Sequence, residues 1–450
     1  MYFQRLIGWV TVCSAAGSGS SPASTAIDID MGEARDAAPD VSRTPAPQAA
    51  IGLADPLPQV QLTGASPYTI SVFTSLERCE AAWRQATAAC VCSVFQTFEW
   101  LSAWFATVGR DQGASAFVVF VRDDSGTIVL AMALAVRIRR GMRCLEFLGG
   151  ELTDYNMPLV HAQLASRIGD REMARIWTAI IGRLPAVDVI LLRRVPASFC
   201  GTANPLHRLT GFEPSERAFA ARLPSTFAEF ATPLSTSFFK FNRWRRRRLA
   251  DIGKVELVRP TDADQRRRIA QFIIDQKSRW QQRTGRENTM ARACNRAFYN
   301  RLIEAHFAEG CIEVAALTVD GVITAGMWCA EFRSRYAMIV TTYDPDWSQH
   351  AVGRILTECM IQHCISRGDL ECFDLTIGDE SYKDSWADET FEVYDRTSGH
   401  SPKGYVFAYY LRARKLAHSA IRTYPTVRGA ARRLVGTIAR ARARLRPVSR

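Results

Sequence analysis

Apolar and polar positions alternate in short runs from about residue 68 onward, most clearly after residue 310. Three apolar runs are joined by an Asp320-Gly321 turn and a short connection, which predicts an antiparallel meander of strands. These runs are at 312–319, 322–331 and 336–342. A helical pattern over 352–367 then stops at Gly368, and a buried strand is predicted at 372–375.

An earlier part of the chain repeats this order of elements. Apolar runs at 116–121 and 128–138 flank a turn at Asp124-Ser125-Gly126, which predicts a hairpin, and another strand is predicted at 145–148. A helix over 171–184 and a buried strand over 187–192 follow. The two parts share few identical residues, so the order of elements alone supports two copies of one module.

A length of 450 residues predicts two domains with terminal segments. We place an N-terminal extension, two domains and a basic tail at 1–67, 68–232, 233–412 and 413–450. The extension is rich in Ser, Ala, Pro and Gly, which favours a poorly ordered segment over a weak secretory signal. No apolar run approaches the ~20 residues that span a bilayer, so we expect a cytoplasmic protein, at most peripheral at the inner membrane face.

The formal net charge of +12 is concentrated in two places. Residues 243–248 read RWRRRR, and residues 411–450 contain many arginines and no Asp or Glu. Such clusters attract phosphates on a cofactor, a nucleic acid or an anionic lipid. For the first cluster, a solvated helix face and recognition of an anionic ligand both remain open. For the tail, a membrane-surface helix, a nucleic-acid contact and a solubilising segment remain open.

The twelve cysteines include no CxxC pair, which predicts reduced thiols. Cys359, His363 and Cys364 lie close on one predicted helix, but no second cluster would complete a tetrahedral metal site. We therefore expect no metal.

Several short motifs then suggest a family. They are FQTFEWL at 95–101, LEFLGG at 145–150, TDY at 153–155, YDP at 343–345, FDL at 373–375 and YK at 382–383, together with Trp280 and Gly353. This ordered series, spread over residues 70–410, resembles the CelD-type acetyltransferases, named for cellulose biosynthesis, within the GNAT superfamily. It is also similar to the Fem transferases, which use aminoacyl-tRNA and contain two GNAT-like domains.

The resemblance implies an α/β (α+β) protein with two GNAT-like domains, each a mixed, mainly antiparallel sheet flanked by helices. It also implies transfer of an acetyl or other acyl group from acetyl-CoA or another acyl-CoA to an amine or hydroxyl, in exopolysaccharide or envelope biosynthesis. Two alternatives stay open: a Fem-like aminoacyl-tRNA-dependent transferase, and a non-catalytic GNAT scaffold that binds a membrane or a polysaccharide-synthesis partner.

The resemblance assigns the acyl-CoA site to the second domain. The end of a strand would pair with the pantetheine arm, and backbone N–H groups at a helix start would hold the diphosphate. The expected residues are Thr341, Thr342, Ala351, Val352, Gly353 and Arg354. The segment QHAVGRI at 349–355 departs from the usual GNAT phosphate loop, because Ile355 stands where a second Gly or Ala is expected.

Acyl transfer needs a base for the attacking group and an acid for the departing thiolate. Asp374 and Glu380 are the candidate bases, and Tyr382, with a reference pKa of about 10, is the candidate acid. Lys383, Asp154 and Tyr155 are candidates for binding the acceptor in a cleft between the domains. A strand-end cap for Asp374 and turn packing for Tyr382 and Asp154 are the structural alternatives.

Overall fold

The computed structural model describes residues 57–61, 66–233, 236–378 and 380–423. Most of the predicted extension, up to residue 56, and the tail beyond residue 423 therefore lie outside the described residues. We use N-terminal half for residues 57–233 and C-terminal half for residues 236–423.

The strands of the N-terminal half are short and mostly consecutive. They are β1 (Leu57–Gln61), β2 (Thr69–Phe73), β3 (Ser115–Arg122), β4 (Ile128–Arg139), β5 (Met142–Phe147), β6 (Leu159–Val160), β7 (Val189–Pro196), β8 (Ser198–Phe199), β9 (Thr202–Ala203) and β10 (Phe212–Arg222). Those of the C-terminal half are β11 (Val255–Val258), β12 (Cys311–Val319), β13 (Val322–Phe332), β14 (Arg335–Tyr343), β15 (Cys372–Ile377) and β16 (Glu389–Gly399).

Helices lie between these strands in both halves. They are α1 (Glu80–Ala89), α2 (Phe98–Trp104), α3 (Ala162–Ala165), α4 (Asp170–Ile181), α5 (Phe227–Ala231), α6 (Thr236–Ala250), α7 (Ala263–Arg283), α8 (Ala293–Glu304), α9 (Val352–Arg367) and α10 (Pro402–Thr423). Short 3-10 turns at Pro345–His350 and Lys383–Ser385 lead into α9 and follow β15.

One mixed, mainly antiparallel sheet runs through both halves. Its order is β1-β2-β3-β4-β5-β7-β16-β10-β15-β14-β13-β12-β11, with β6 on β4, and β8 and β9 pair separately. Among the described strands, only β5–β7 and β14–β15 are parallel pairs, and each is joined through a helix, α4 or α9. The predicted fold class is confirmed, because a mainly antiparallel sheet flanked by helices accounts for the described chain.

The predicted repetition of elements is also present. Strands β2 to β5, α4 and β7 follow the same order as β11 to β14, α9 and β15. In the second copy, the Asp320-Gly321 turn has both residues at positive φ, 47° and 77°, as a tight two-residue hairpin requires.

Two strands cross from one half to the other at the centre of the sheet. Strand β16, from the C-terminal half, pairs with β7, and β10, from the N-terminal half, pairs with β15. These two strands also pair with each other. The predicted boundary at residues 232 and 233 therefore divides the sequence without dividing the sheet.

Apolar side chains cover both faces of the C-terminal sheet. Ile273 and Ile274 of α7 pack on one face, while Leu356 and Met360 of α9 pack on the other. This arrangement is the reason that α9 shows little amphipathic character, since most of its residues are buried.

Three expectations need correction. Residues 57–61 were assigned to the poorly ordered extension but form β1, because backbone pairing with β2 requires no strong apolar pattern. The helix predicted over 297–309 is α8, which begins and ends earlier. Strands β10 and β16 were not predicted.

Among the described residues, no helix is long and apolar enough to cross a membrane. Within the same residues, no group of three or more His, Cys, Asp or Glu is arranged to hold a metal ion.

Candidate functional site

The sheet of the C-terminal half opens between its two parallel strands. Strands β14 and β15 pair only through Arg335–Ala337 and Cys372–Asp374, after which their register ends. One further link exists, in which the Thr376 hydroxyl donates to the Met338 carbonyl over 3.2 Å. Beyond this point β14 continues to Tyr343 and pairs only with β13 on its other side. The edge that carries the predicted Thr341 and Thr342 therefore faces an opening in the sheet.

Helix α9 starts at the end of this opening. Ala351 precedes it in a left-handed conformation (φ 54°) and makes no side-chain cap, and there is no acidic residue in the first turn. The N–H groups of Val352 and Gly353 therefore have no intrahelical acceptor, and the helix dipole makes this end attractive to an anion. A side chain at Gly353 would reach the Tyr343 ring at 3.4 Å, an ordinary contact.

Arginines from α6 and α9 surround this helix start. Arg245 lies 4.8 Å from the Phe241 ring and donates to the Gln349 carbonyl, while Arg354 lies 4.4 Å from the Phe238 ring. Burial and the like charge of Arg248 lower the pKa of Arg245. The pKa of His350 is lowered by burial and by the charges of Arg245 and Arg248, which indicates a local excess of positive charge. The basic helix predicted from the sequence thus supplies cations next to the predicted diphosphate loop.

The corresponding helix of the N-terminal half has the opposite charge at its start. Asp170 and Glu172 lie in the first turn of α4, after Gly169 at the N-cap. Carboxylates at this position already satisfy the dipole and repel a phosphate. Of the two repeated modules, only the second is suited to bind an anion at its crossover helix.

A cavity of about 460 Å³, counting space open to solvent, lies beside the parallel strands of the N-terminal half. Its lining includes four carboxylates and two arginines: Glu146, Glu151, Glu216, Asp395, Arg193 and Arg194. Arg194 already pairs with Glu216 over 3.0 Å. This cavity is therefore a poor match for a phosphate-bearing ligand.

Asp374 accepts three hydrogen bonds, one of which joins the two halves. Its carboxylate accepts from the Tyr155 hydroxyl at 2.7 Å, from the Thr376 N–H at 2.8 Å and from Arg335 at 2.8 Å. Asp374 is fully buried and Tyr155 nearly so, and burial together with the Asp374 charge raises the pKa of the Tyr155 hydroxyl. The geometry does not fit the predicted roles, because a carboxylate held by three donors cannot readily accept a substrate proton and Tyr155 is closed off from an acceptor.

Three other predicted residues, Asp154, Glu380 and Lys383, form a cluster of interacting charges near this link. Lys383 is buried, donates to the Ile377 carbonyl at 2.5 Å and lies 3.3 Å from Glu380. Asp154 lies 3.8 Å from Arg194. Burial raises the pKa of Asp154 to about 6, although Arg194 and Lys383 oppose this shift. Asp154, Glu380 and Lys383 are therefore brought together by the fold.

Tyr382 is half-buried beside these groups. Burial and the nearby Glu380 charge raise the pKa of its hydroxyl. The hydroxyl therefore stays protonated at neutral pH, so it can donate a hydrogen bond or a proton.

Lys277 on α7 also interacts with these charges and was not predicted. Its ammonium lies 4.4 Å from the centre of the Trp280 ring, which also contacts Arg286 at 4.7 Å. Burial lowers the pKa of Lys277 to about 8; Glu380 raises it, whereas Arg286 and Lys383 lower it. A lysine within a long, generally charged helix gives no local signal, and only the tertiary structure brings it next to Glu380 and Asp154.

One protein-family model matches part of the chain. Residues 237–384 match the family model of an acetyltransferase (GNAT) domain. The match includes the opening in the sheet, the start of α9 and the charged residues Glu380 and Lys383, and it supports a GNAT acyltransferase domain over about a third of the chain. The comparison with curated proteins finds no match.

Solved structures overlap a larger part of the chain at low identity. The crystal structure of FemX has a TM-score of 0.49 and 11% identity, over 72% of this chain and 96% of that chain. A tandem GNAT protein from the clavulanic acid biosynthesis pathway has a TM-score of 0.39 and 12% identity, over 74% and 99%. The N-myristoyltransferase of Saccharomyces cerevisiae with bound myristoyl-CoA has a TM-score of 0.39 and 12% identity, over 76% and 84%.

Proposed function

We propose that this protein is an acyltransferase that moves an acyl group from acyl-CoA to an amine or hydroxyl acceptor. The observation that carries this proposal is the opening between β14 and β15, which leads to an uncapped helix start surrounded by arginines. A thioester attached to a long arm and a diphosphate needs such an arrangement: a free strand edge for the arm and backbone donors for the phosphates. The acetyltransferase domain match over the same residues supports it.

The donor site uses the residues that the sequence predicted. Backbone groups of Thr341 and Thr342 pair with the amides of the arm, and the N–H groups of Val352 and Gly353 bind the diphosphate. Arg245 and Arg354 add positive charge, so the missing second small residue in the phosphate loop is offset by side chains from α6 and α9.

The acceptor lies beside the charged cluster of Asp154, Lys277, Glu380 and Lys383. Its amine or hydroxyl attacks the thioester carbonyl, the C–S bond breaks, and the thiolate takes up a proton. Glu380 and the neutral form of Lys277 are the candidate bases, and Tyr382 is the candidate acid. Asp374 fixes the position of β15 against the N-terminal half and is a positioning residue.

The CelD-type resemblance extends this proposal to its setting. It favours a saccharide or small-molecule acceptor from exopolysaccharide or envelope biosynthesis and a cytoplasmic protein.

Calorimetry with acetyl-CoA tests the donor site directly. We expect binding by the full chain and a clear loss of affinity in an Arg245→Ala, Arg248→Ala variant. A matched variant, Arg171→Ala with Arg175→Ala, removes two exposed arginines from α4 and should bind acetyl-CoA normally. Release of free CoA thiol in a screen of sugar and amine acceptors then identifies the acceptor. If acetyl-CoA neither binds nor raises the melting temperature, the proposal fails and a non-catalytic GNAT scaffold becomes the better explanation.

The basic segments favour one alternative, a Fem-like transferase that uses aminoacyl-tRNA. Residues 411–450 and the RWRRRR segment would contact tRNA phosphates, and such binding weakens steeply with salt. Salt-sensitive tRNA binding by a protein that does not respond to acetyl-CoA would establish this alternative.

A further inference from the structure

Helix α10 is attached to the sheet by one apolar face. Ala408 is buried, and Phe407 and Leu411 pack beside it against Cys144, Val189 and Leu191 of β5 and β7. At the start of the helix, Ser401 donates to Asp188 at 2.7 Å and Lys403 lies 2.9 Å from the same carboxylate. These apolar and polar contacts hold α10 against the N-terminal half.

The opposite face of α10 is also apolar and points to solvent. Tyr405, Val406, Tyr409 and Tyr410 are 65%, 71%, 76% and 42% exposed. They are four of the eight exposed large hydrophobic residues in the described part of the chain. Because residues four apart share a helix face, these side chains form one continuous band rather than scattered contacts. An exposed apolar band of this kind marks an interaction surface.

Positive charge borders this band and extends beyond it. Helix α10 contains no acidic residue, and Arg412 and Arg414 are exposed on it, with Arg412 3.8 Å from Glu213. In sequence, residues 411–450 contain twelve Lys and Arg and no Asp or Glu, so they account for the whole formal net charge of +12. The rest of the chain is balanced.

We propose that this face of α10, with the basic residues after it, docks on an anionic lipid bilayer. Tyrosine is enriched at membrane interfaces, where its ring is buried at the headgroup level and its hydroxyl stays hydrated. Basic residues next to such a helix add attraction to anionic headgroups. The surface is a single convex helix and not a groove, which fits a planar lipid surface. The inference does not depend on the proposed acyl transfer.

Flotation with vesicles tests the proposal on the full chain. We expect the protein to float with phosphatidylcholine vesicles that contain about 30% phosphatidylglycerol, and not with phosphatidylcholine alone, because anionic lipid supplies the attraction. High salt should weaken this binding. A Tyr405→Ser, Tyr409→Ser variant should bind about tenfold less, since binding scales with the buried apolar area.

The matched control changes two exposed apolar residues elsewhere. An Ile252→Ser, Val322→Ser variant loses side chains that are 49% and 56% exposed and should float like the wild type. Absence of flotation with anionic vesicles overturns the proposal. If the tyrosine variant floats as much as the wild type, the role of α10 is overturned and the basic tail alone accounts for the binding. Concentration-dependent dimerisation that the tyrosine variant abolishes, without lipid binding, assigns the band to a second copy of the chain instead.

Discussion

A glutamate in place of Gly353 separates binding of the donor from stability of the fold. The position is the second residue of α9, and an added Cβ would meet the Tyr343 ring at 3.4 Å, an ordinary contact. The variant should therefore fold. A carboxylate in the first turn also favours the helix dipole, by about 0.3–1 kcal/mol, and glutamate is a better helix former than glycine. The melting temperature should stay the same or rise.

Binding of acetyl-CoA should change in the opposite direction. A new carboxylate about 5 Å from a diphosphate with two negative charges costs about 1.7 kcal/mol at the dielectric constant of water, and more where water is excluded. The value in water already corresponds to roughly fifteen- to twentyfold weaker binding. The loss of close approach between the backbone and the phosphates adds to it.

Calorimetry and thermal unfolding on the same sample measure both effects. Gly169→Glu is the matched control, because it puts the same carboxylate at the start of α4, where nothing lies within 4 Å of the added Cβ. It should leave the affinity for acetyl-CoA unchanged. An unchanged affinity in Gly353→Glu would refute the placement of the diphosphate, and an equal loss in both variants would show a non-specific charge effect.

Four further results are expected. Tyr382→Phe should lower kcat with little change in donor affinity if its hydroxyl protonates the thiolate, and equal turnover would remove that role. Asp374→Ala should destabilise the protein by about 3–5 kcal/mol in urea unfolding, because it leaves the largely buried Arg335 and the buried Tyr155 hydroxyl without their partner. Asp369→Ala, at a partly exposed pair, should cost much less. The raised pKa of Asp154, about 6, means that its favourable contribution to folding is present below about pH 4 and is lost as the pH rises through 6. Asp154→Asn should therefore gain up to about 3 kcal/mol relative to wild type between pH 4 and 7, whereas a constant difference would contradict the shift. If Lys277 is the base, kcat/KM should rise through its pKa of about 8, and Lys277→Met should abolish that inflection while a persistent inflection would assign it elsewhere.

The C-terminal meander could be predicted closely from the sequence because its signals are local. The strands at 312–319 and 322–331 alternate around a two-residue turn, and the helix over 352–367 ends at a left-handed glycine, Gly368. The structure places these elements within a residue or two of the prediction. Local hydrogen bonding and the pattern of buried residues determine where such strands and helices begin and end, so their bounds can be predicted from the sequence alone.

Strands β10 and β16 could not be predicted in the same way. Their sequences, FEPSERAFAAR and ETFEVYDRTSG, are rich in polar residues and lack a consistent alternation. They become strands because they pair with each other and with β7 and β15, at sequence separations of well over a hundred residues. Strand formation depends on its neighbours as much as on its own sequence.

In the candidate site, too, the features with local signals could be predicted, and those that depend on distant partners could not. Asp374 and Tyr155 were both singled out, yet nothing in the sequence indicates that one donates to the other across the halves. Residues 351–354 were expected at a helix start and lie there. Lys277 was missed because its partners come from three separate segments.

The crossing of β10 and β16 at the middle of the sheet has a consequence for how the protein works and how it can be studied. Because backbone pairing is continuous from β7 to β15, the sheet has no hinge about which the two halves could close on a substrate. Surface loops must therefore control entry of the acceptor. The N-terminal half expressed alone would lose β16, the partner of β7, and the C-terminal half alone would lose β10, the partner of β15. Each half would then expose an unpaired strand edge that can self-associate. Activity should therefore survive only in the intact chain, or in two fragments that refold together.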